Sequence, residues 1–177
     1  MKIKTTIYIL VLFVATLSMS SCKEGFGTWR ELNEEWIAQK VSTLGTPAED
    51  DPEIIETRTL PTGVMMEIYH NGFGAIPKPS IDPDTERSST IIVNYRGYLI
   101  DGTIFNDGKE LSFSLGNTIQ GWQDALSQLR QGSSCRIYIP YSEGYDKEGT
   151  KDGYDNFVVP PYSTLIFDID LLDVINY

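Results

Sequence analysis

Aromatic side chains stand where this chain could do chemistry: Tyr95, Phe105, Trp122, Tyr145 and Phe167 fall at the ends of strand-like runs or in the loops between them. Taken singly, each has the ordinary reading of a core residue. Together they stand out because the usual reactive sets are missing. The one histidine, His70, lies in a polar setting beside Asn71-Gly72 with no serine elbow, so a nucleophilic triad has no base. Of two cysteines, Cys135 shares one face of the run SCRIYIP with Ile137 and Ile139, the place of a small buried hydrophobe. Asp82, Asp84 and Glu86 alternate as calcium ligands do, but the turn glycine and the distant glutamate of such a loop are missing, and a solvated loop is expected. No metal site and no cofactor is expected from this inventory. An aromatic pocket without acid, base or metal still suffices for a reaction that breaks no covalent bond, through shape, desolvation and a few hydrogen-bond donors.

Such residues need a frame, and two runs supply most of it. IVNYRGYLIDGTIF, residues 92–105, places Val93, Tyr95 and Leu99 on one strand face, turns at Asp101-Gly102 and delivers Phe105. VVPPYSTLIFDIDLL, residues 158–172, places Leu165, Phe167, Ile169 and Leu171 on the buried face of another strand after a Pro160-Pro161 stop. Between them GNTIQGW ends in Trp122, and Trp122, Ala125, Leu126 and Leu129 mark an amphipathic helix that stops before Gly132. Further strands are expected at 64–70, at Leu111, Phe113 and Leu115, and up to Pro140. Several short strands to one helix, with Gly, Pro and Asp at the turns, give an α+β fold: an antiparallel β-sheet wrapped around one short α-helix.

Ahead of this domain, Trp29, Leu32, Trp36 and Ile37 recur near helical spacing, with Thr28 and Glu31 placed as a capping box. Two tryptophans on a short helix are costly to leave in water, so packing against the domain is expected, ahead of packing on a second copy or at the membrane surface. Residues 42–58 include TPAEDDPE, acidic and without periodicity, and read as a linker. At the amino terminus Lys2 and Lys4 precede an uncharged stretch from Ile7 to Leu17, too short for a comfortable span, and Ser20 and Ser21 precede Cys22. This resembles a bacterial lipoprotein signal, with Cys22 as the lipidated residue and Met19 where that pattern usually has Leu. The expected organisation is therefore a signal peptide at 1–21, a helix and acidic linker at 22–58, and one domain at 59–177. A formal net charge of −11 argues against nucleic acid as a partner.

The ordered set from Tyr95 to Phe167 resembles the FKBP-type peptidyl-prolyl cis-trans isomerases over roughly residues 59–175. That resemblance implies an FKBP-like fold, isomerisation of X-Pro bonds in proline-containing polypeptides, immunosuppressant macrolides as candidate ligands, and no cofactor. With the lipoprotein signal it implies a membrane-anchored protein of the bacterial cell envelope. Residue by residue, Tyr95, Phe105 and Phe167 match walls of the proline pocket and Trp122 its floor. Thr118 and Ile119 match the backbone that meets the bound peptide, Ile119 N–H as donor. Tyr145 matches a loop tyrosine whose hydroxyl donates a second hydrogen bond, and Val159 matches an apolar lip. Three positions depart from the pattern: Asn106 stands where an aspartate is usual, Leu111 where an aromatic is common, and Thr118 where a more apolar residue is usual. Asn106 and Leu111 keep open a second reading, a weak or inactive binding module holding proline-containing segments or a protein partner. A third treats the aromatics as the core of an unrelated α+β domain, and gains if Tyr95 and Tyr145 lie far apart.

Overall fold

Apolar alternation in the last run sets the centre of the fold. Leu165, Phe167, Ile169 and Leu171 are all buried, with Ile166, Asp168 and Asp170 between them turned to the other face. The computed structural model describes residues 26–47, 52–80, 84 and 87–177. The expected signal peptide, Cys22, and Asp82 and Glu86 of the acidic loop lie outside them. Along the chain run α1 (Gly27–Thr43), β1 (Glu56–Thr59), β2 (Met65–His70), β3 (Thr90–Tyr98), β4 (Ile104–Ser114), α2 (Gln120–Leu126), β5 (Ser134–Ile139), β6 (Thr150–Lys151), β7 (Phe157–Val159) and β8 (Leu165–Ile175).

Six of these strands form one antiparallel sheet in the order β1-β2-β5-β8-β3-β4, and β6 and β7 form a separate hairpin. The inner face carries Met66 and Ile68 from β2, Ile91 and Val93 from β3, and Cys135, Ile137 and Ile139 from β5 in one core with Ala125 and Leu126 of α2. Burial of each large aliphatic side chain contributes about 1.5–3 kcal/mol before chain entropy is counted. The helix sits very close to the sheet: a Cβ on Gly121 would lie 2.4 Å from Ile139 Cγ2. Cys135 is a core residue, as its alternation suggests, and burial pushes its thiol up to about 12.

On the outer face α1 packs against β2 and β5. Trp36 lies 5.9 Å from Tyr138, and Lys40 Nζ donates to Glu67 Oε1 at 2.8 Å. Glu67 also accepts from Tyr138 Oη and from the Gly45 N–H, so a carboxylate only 1% exposed has all its charge engaged. Both tryptophans of the first helix are thus half-buried against the domain, Trp29 on the core and Trp36 on Tyr138.

Several expectations need correction. The helix begins with Phe26 as its N-cap and no side-chain cap, so Thr28 lies inside the first turn. Glu56–Thr59 is sheet, which takes residues 56–58 out of the expected linker. The short strand expected around Leu111 to Leu115 is the end of an eleven-residue edge strand that starts at Ile104, while Leu115 opens a 3-10 turn. Its first half carries little hydrophobic alternation because most of its side chains, Phe105 excepted, are exposed.

Candidate functional site

The turn between β3 and β4 forms at Asp101-Gly102. Gly102 N–H donates to Leu99 O at 3.0 Å, Thr103 N–H donates to Asp101 Oδ1 at 2.9 Å, and Gly102 takes the left-handed φ of +83°. This hairpin brings Phe105 back over β3. Gly97 makes room for it: a Cβ there would lie 2.6 Å from Phe105 Cζ and 2.8 Å from Phe167 Cε1. Phe105 and Phe167 then meet edge to face at 5.4 Å. From the helix side, Trp122 meets Phe167 at 5.3 Å and Tyr95 at 5.2 Å, both near-perpendicular, and Phe113 lies 5.8 Å from Trp122.

These rings close on a cavity of about 260 Å³, whose rim is completed by Asn106, Asn117, Thr118, Ile119 and Tyr145. A larger cleft of about 460 Å³ lies between Arg58, Phe73 and Arg130. Its guanidiniums are spent on the Gln128 and Gly74 carbonyls, and no ring cluster floors it. Tyr95 and Tyr145 thus share one site, against the reading of an unrelated core. His70, by contrast, ends β2 exposed, with Nδ1 at 2.9 Å from Gly132 O.

The segment ahead of α2 is held rigidly. Thr118 Oγ1 donates to Leu115 O at 2.7 Å, and Gln123 Nε2 donates to Thr118 O at 2.8 Å. The Ile119 carbonyl accepts from Trp122 and Gln123 N–H, but among the described residues no acceptor takes the Ile119 N–H. Trp122 Nε1 is buried, and it too has no partner among the described residues. The site therefore combines dry ring faces with a backbone donor fixed in place and left unengaged. Burial holds the Tyr145 hydroxyl above the usual tyrosine range. The same cause acts first on Tyr95, followed by Tyr145 and the Asp107 carboxylate. Both remain O–H groups at neutral pH, fit to donate. Among the described residues no cluster of metal-ligating side chains occurs.

Eight of the sequence-derived site residues meet here: Tyr95, Phe105, Asn106, Thr118, Ile119, Trp122, Tyr145 and Phe167. Two do not. Leu111 is 40% exposed and lies against Gly108, at the point where the β3–β4 register slips between Val93 and Tyr95. Phe113, two residues on, lines the cavity instead. Val159 is 1% exposed and belongs to the core, drawn inward where it pairs with Thr150. Phe113 and Asn117 are the additions. Alternation of Leu111, Phe113 and Leu115 held the signal for the first, and nothing in the pattern marked Asn117.

Residues 82–172 match the model of the FKBP-type peptidyl-prolyl cis-trans isomerase family. The chain is 36% identical over 121 residues to the FKBP-type peptidyl-prolyl cis-trans isomerase FkpA of Escherichia coli (strain K12), covering 66% of this chain and 40% of that relative. It is 33% identical over 119 residues to the outer membrane protein MIP of Legionella longbeachae, covering 65% of this chain and 46% of that one. It thus spans about half the length, or less, of these curated relatives. Among solved structures, FkpA from Escherichia coli superposes with a TM-score of 0.67 at 27% identity, covering 99% of this chain and 75% of that one.

Proposed function

Because the chain belongs to the FKBP-type peptidyl-prolyl cis-trans isomerase family, we propose that its aromatic cavity isomerises X-Pro bonds in polypeptides outside the cytoplasm. The reaction needs no covalent step. Twisting an amide costs about 18–20 kcal/mol because resonance is lost, and no bond is broken. The prolyl ring enters against the Trp122 face with Tyr95, Phe105 and Phe167 around it. A substrate carbonyl accepts from the Ile119 N–H, and the Tyr145 hydroxyl donates to a second. A dry cavity favours the twisted amide, whose carbonyl and nitrogen are no longer conjugated, over the planar one that water solvates well. A million-fold acceleration requires about 8 kcal/mol of such preference.

The observation that carries this reading is the ring set closing on a cavity with an unengaged Ile119 N–H at its rim. Proline-limited refolding of a substrate protein tests it. Micromolar chain accelerates the slow phase, and a Phe105→Ala, Tyr145→Phe double variant loses most of that effect. Equal rates with and without the wild-type chain would sink the catalytic role.

Asn106 favours a second reading. It lines the cavity as a neutral amide where the family resemblance calls for a carboxylate, which suits a module that holds proline-containing segments or a partner with little turnover. Calorimetric binding of a proline peptide without isomerisation selects this reading. The same cavity is offered to immunosuppressant macrolides. For location, the Lys2 to Cys22 pattern supports export and lipidation at Cys22, placing the domain at the bacterial cell envelope. Mass spectrometry of the mature amino terminus checks this: a diacylglyceryl mass on Cys22 is expected, and an unmodified cleaved terminus contradicts it.

A further inference from the structure

The loop that carries Tyr145 is tied down from an unexpected quarter. From Tyr141 to Tyr162 the chain leaves the sheet and returns. Its closing leg is gripped by α1, a helix on the opposite side of the sheet from α2. Trp29 Nε1 donates to Ser163 Oγ at 2.9 Å, and Ser163 Oγ donates onward to Pro160 O at 2.7 Å. Asn33, fully buried, accepts from Thr164 N–H at 2.7 Å and donates to Trp29 O at 2.8 Å. Arg30 lies over the Tyr162 ring at 4.9 Å, and Phe26 meets Phe157 edge to face at 5.1 Å.

From that grip a short path leads to the cavity. Tyr162 N–H donates to Asp146 O at 2.9 Å, Asp146 N–H donates to Tyr141 O at 2.8 Å, and the Tyr141 and Tyr162 rings meet at 5.4 Å. Tyr162 and Asp146 both sit at positive φ, +63° and +50°, which a non-glycine residue adopts only where its surroundings dictate it. Tyr145 is the next residue back from Asp146, and Gly149 N–H closes on its carbonyl at 3.0 Å. An asparagine in a helix interior is a poor choice for helix propensity. Here it is the residue that fixes the loop's exit.

We propose that α1 is a positioning element for the pocket: Trp29 and Asn33, through Ser163, Thr164 and the Tyr162–Asp146 link, hold the loop that aims the Tyr145 hydroxyl at the substrate. They are positioning residues, since neither reaches the cavity. The inference rests on the isomerase reading for its catalytic consequence and on geometry alone for the brace itself, so two measurements keep these apart.

The first is a double-mutant cycle on kcat/KM for an X-Pro tetrapeptide, using the full chain with Asn33→Ala and Tyr145→Phe singly and together. Groups acting through one network couple, so Asn33→Ala should cost about five-fold with Tyr145 present and less than about two-fold in the Tyr145→Phe background. Equal losses in both backgrounds overturn the proposal, because a general loss of stability acts on either alike. The second is amide hydrogen exchange at Asp146 and Gly149, expected to quicken about ten-fold in Asn33→Ala while the β5 and β8 amides hold. Unchanged exchange in the loop, or uniform quickening throughout, overturns the brace. Should Asn33→Ala fail to fold, Trp29→Phe removes the hydrogen bond to Ser163 while keeping an aromatic ring, and is read in the same two ways. An unsubstituted chain without isomerase activity would overturn the isomerase reading, and the exchange experiment would still decide the brace.

Discussion

Beneath α1, on the outer face of the sheet, the Glu67 carboxylate accepts from Lys40, Tyr138 and the Gly45 N–H. Across the sheet, Trp122 packs among rings while its own Nε1 and the nearby Ile119 N–H find no acceptor among the described residues. The Glu67 carboxylate is saturated with donors, and these two N–H groups are not engaged. A saturated network has nothing left to offer a ligand and serves to dock a helix. The Ile119 N–H, left unengaged at the cavity rim, is the donor that a substrate carbonyl can use, whereas the buried Trp122 N–H is a cost of folding. The difference separates scaffold from site more clearly than either cavity size or charge does.

Substitutions on the two faces should therefore fail differently. The largest effect is expected for Trp122→Ala, which removes the cavity floor. Activity should fall by about 100-fold or more and stability by about 3–5 kcal/mol, checked by peptide isomerisation and denaturant melts. On the other face, Glu67→Gln should lower stability by about 2 kcal/mol, because it strands Lys40 and weakens the bond from Tyr138, yet leave kcat/KM within about two-fold. A large loss of activity in this variant would break the comparison.

Acid should find the same weak point. Burial pushes the Glu67 carboxyl up, but the hydrogen bonds from Lys40, Tyr138 and Gly45 outweigh it and hold the group below its ordinary value of 4.5. A carboxyl depressed by folding stabilises above its unfolded value, and that contribution disappears as pH falls through the folded one. The midpoint of thermal unfolding should drop below pH 4.5 in the wild type, and drop less in Glu67→Gln, as followed by circular dichroism.

Within the pocket, Tyr145→Phe isolates one donor. It should cost about ten-fold in kcat/KM with almost no change in stability, the pattern of a hydrogen bond made to substrate rather than within the fold. The smallest effects sharpen the account. Asn106→Asp should raise kcat/KM by about three-fold, since a carboxylate strengthens hydrogen bonds at the cavity edge. The pH profile of kcat/KM should be flat from about pH 6 to 9, because burial keeps both Tyr95 and Tyr145 hydroxyls protonated beyond the usual range. A bell-shaped profile would point to acid-base chemistry instead.

The sheet and pocket were legible in the sequence to unequal degrees. Buried strands announced themselves: the alternation from Leu165 to Leu171 and the cluster from Trp122 to Leu126 reflect burial on a single face, which hydrophobic period reports directly. Where two apolar residues share one face, the pattern was mute about which of them meets the cavity. Leu111 and Phe113 lie in one regular stretch of the β3–β4 ladder, and Phe113 is the one that lines the cavity. Val159 was given as a lip by the family resemblance alone, and the short β6–β7 hairpin packs it in the core. Asn33 was invisible for a different reason. Polar residues on a helix are expected in water, and this one is buried because it meets a backbone N–H 131 residues away.

The most direct test of the central claim is exchange NMR on a short X-Pro peptide with the full chain present at a small fraction of the peptide concentration. Unassisted, the cis and trans proline signals interchange over tens to hundreds of seconds at about 25 °C. With the wild-type chain, exchange cross-peaks should appear within a mixing time of about one second, and they should vanish with Trp122→Ala but persist with Glu67→Gln. A peptide that binds the wild-type chain, with shifted proline signals and no exchange between them, would contradict the account.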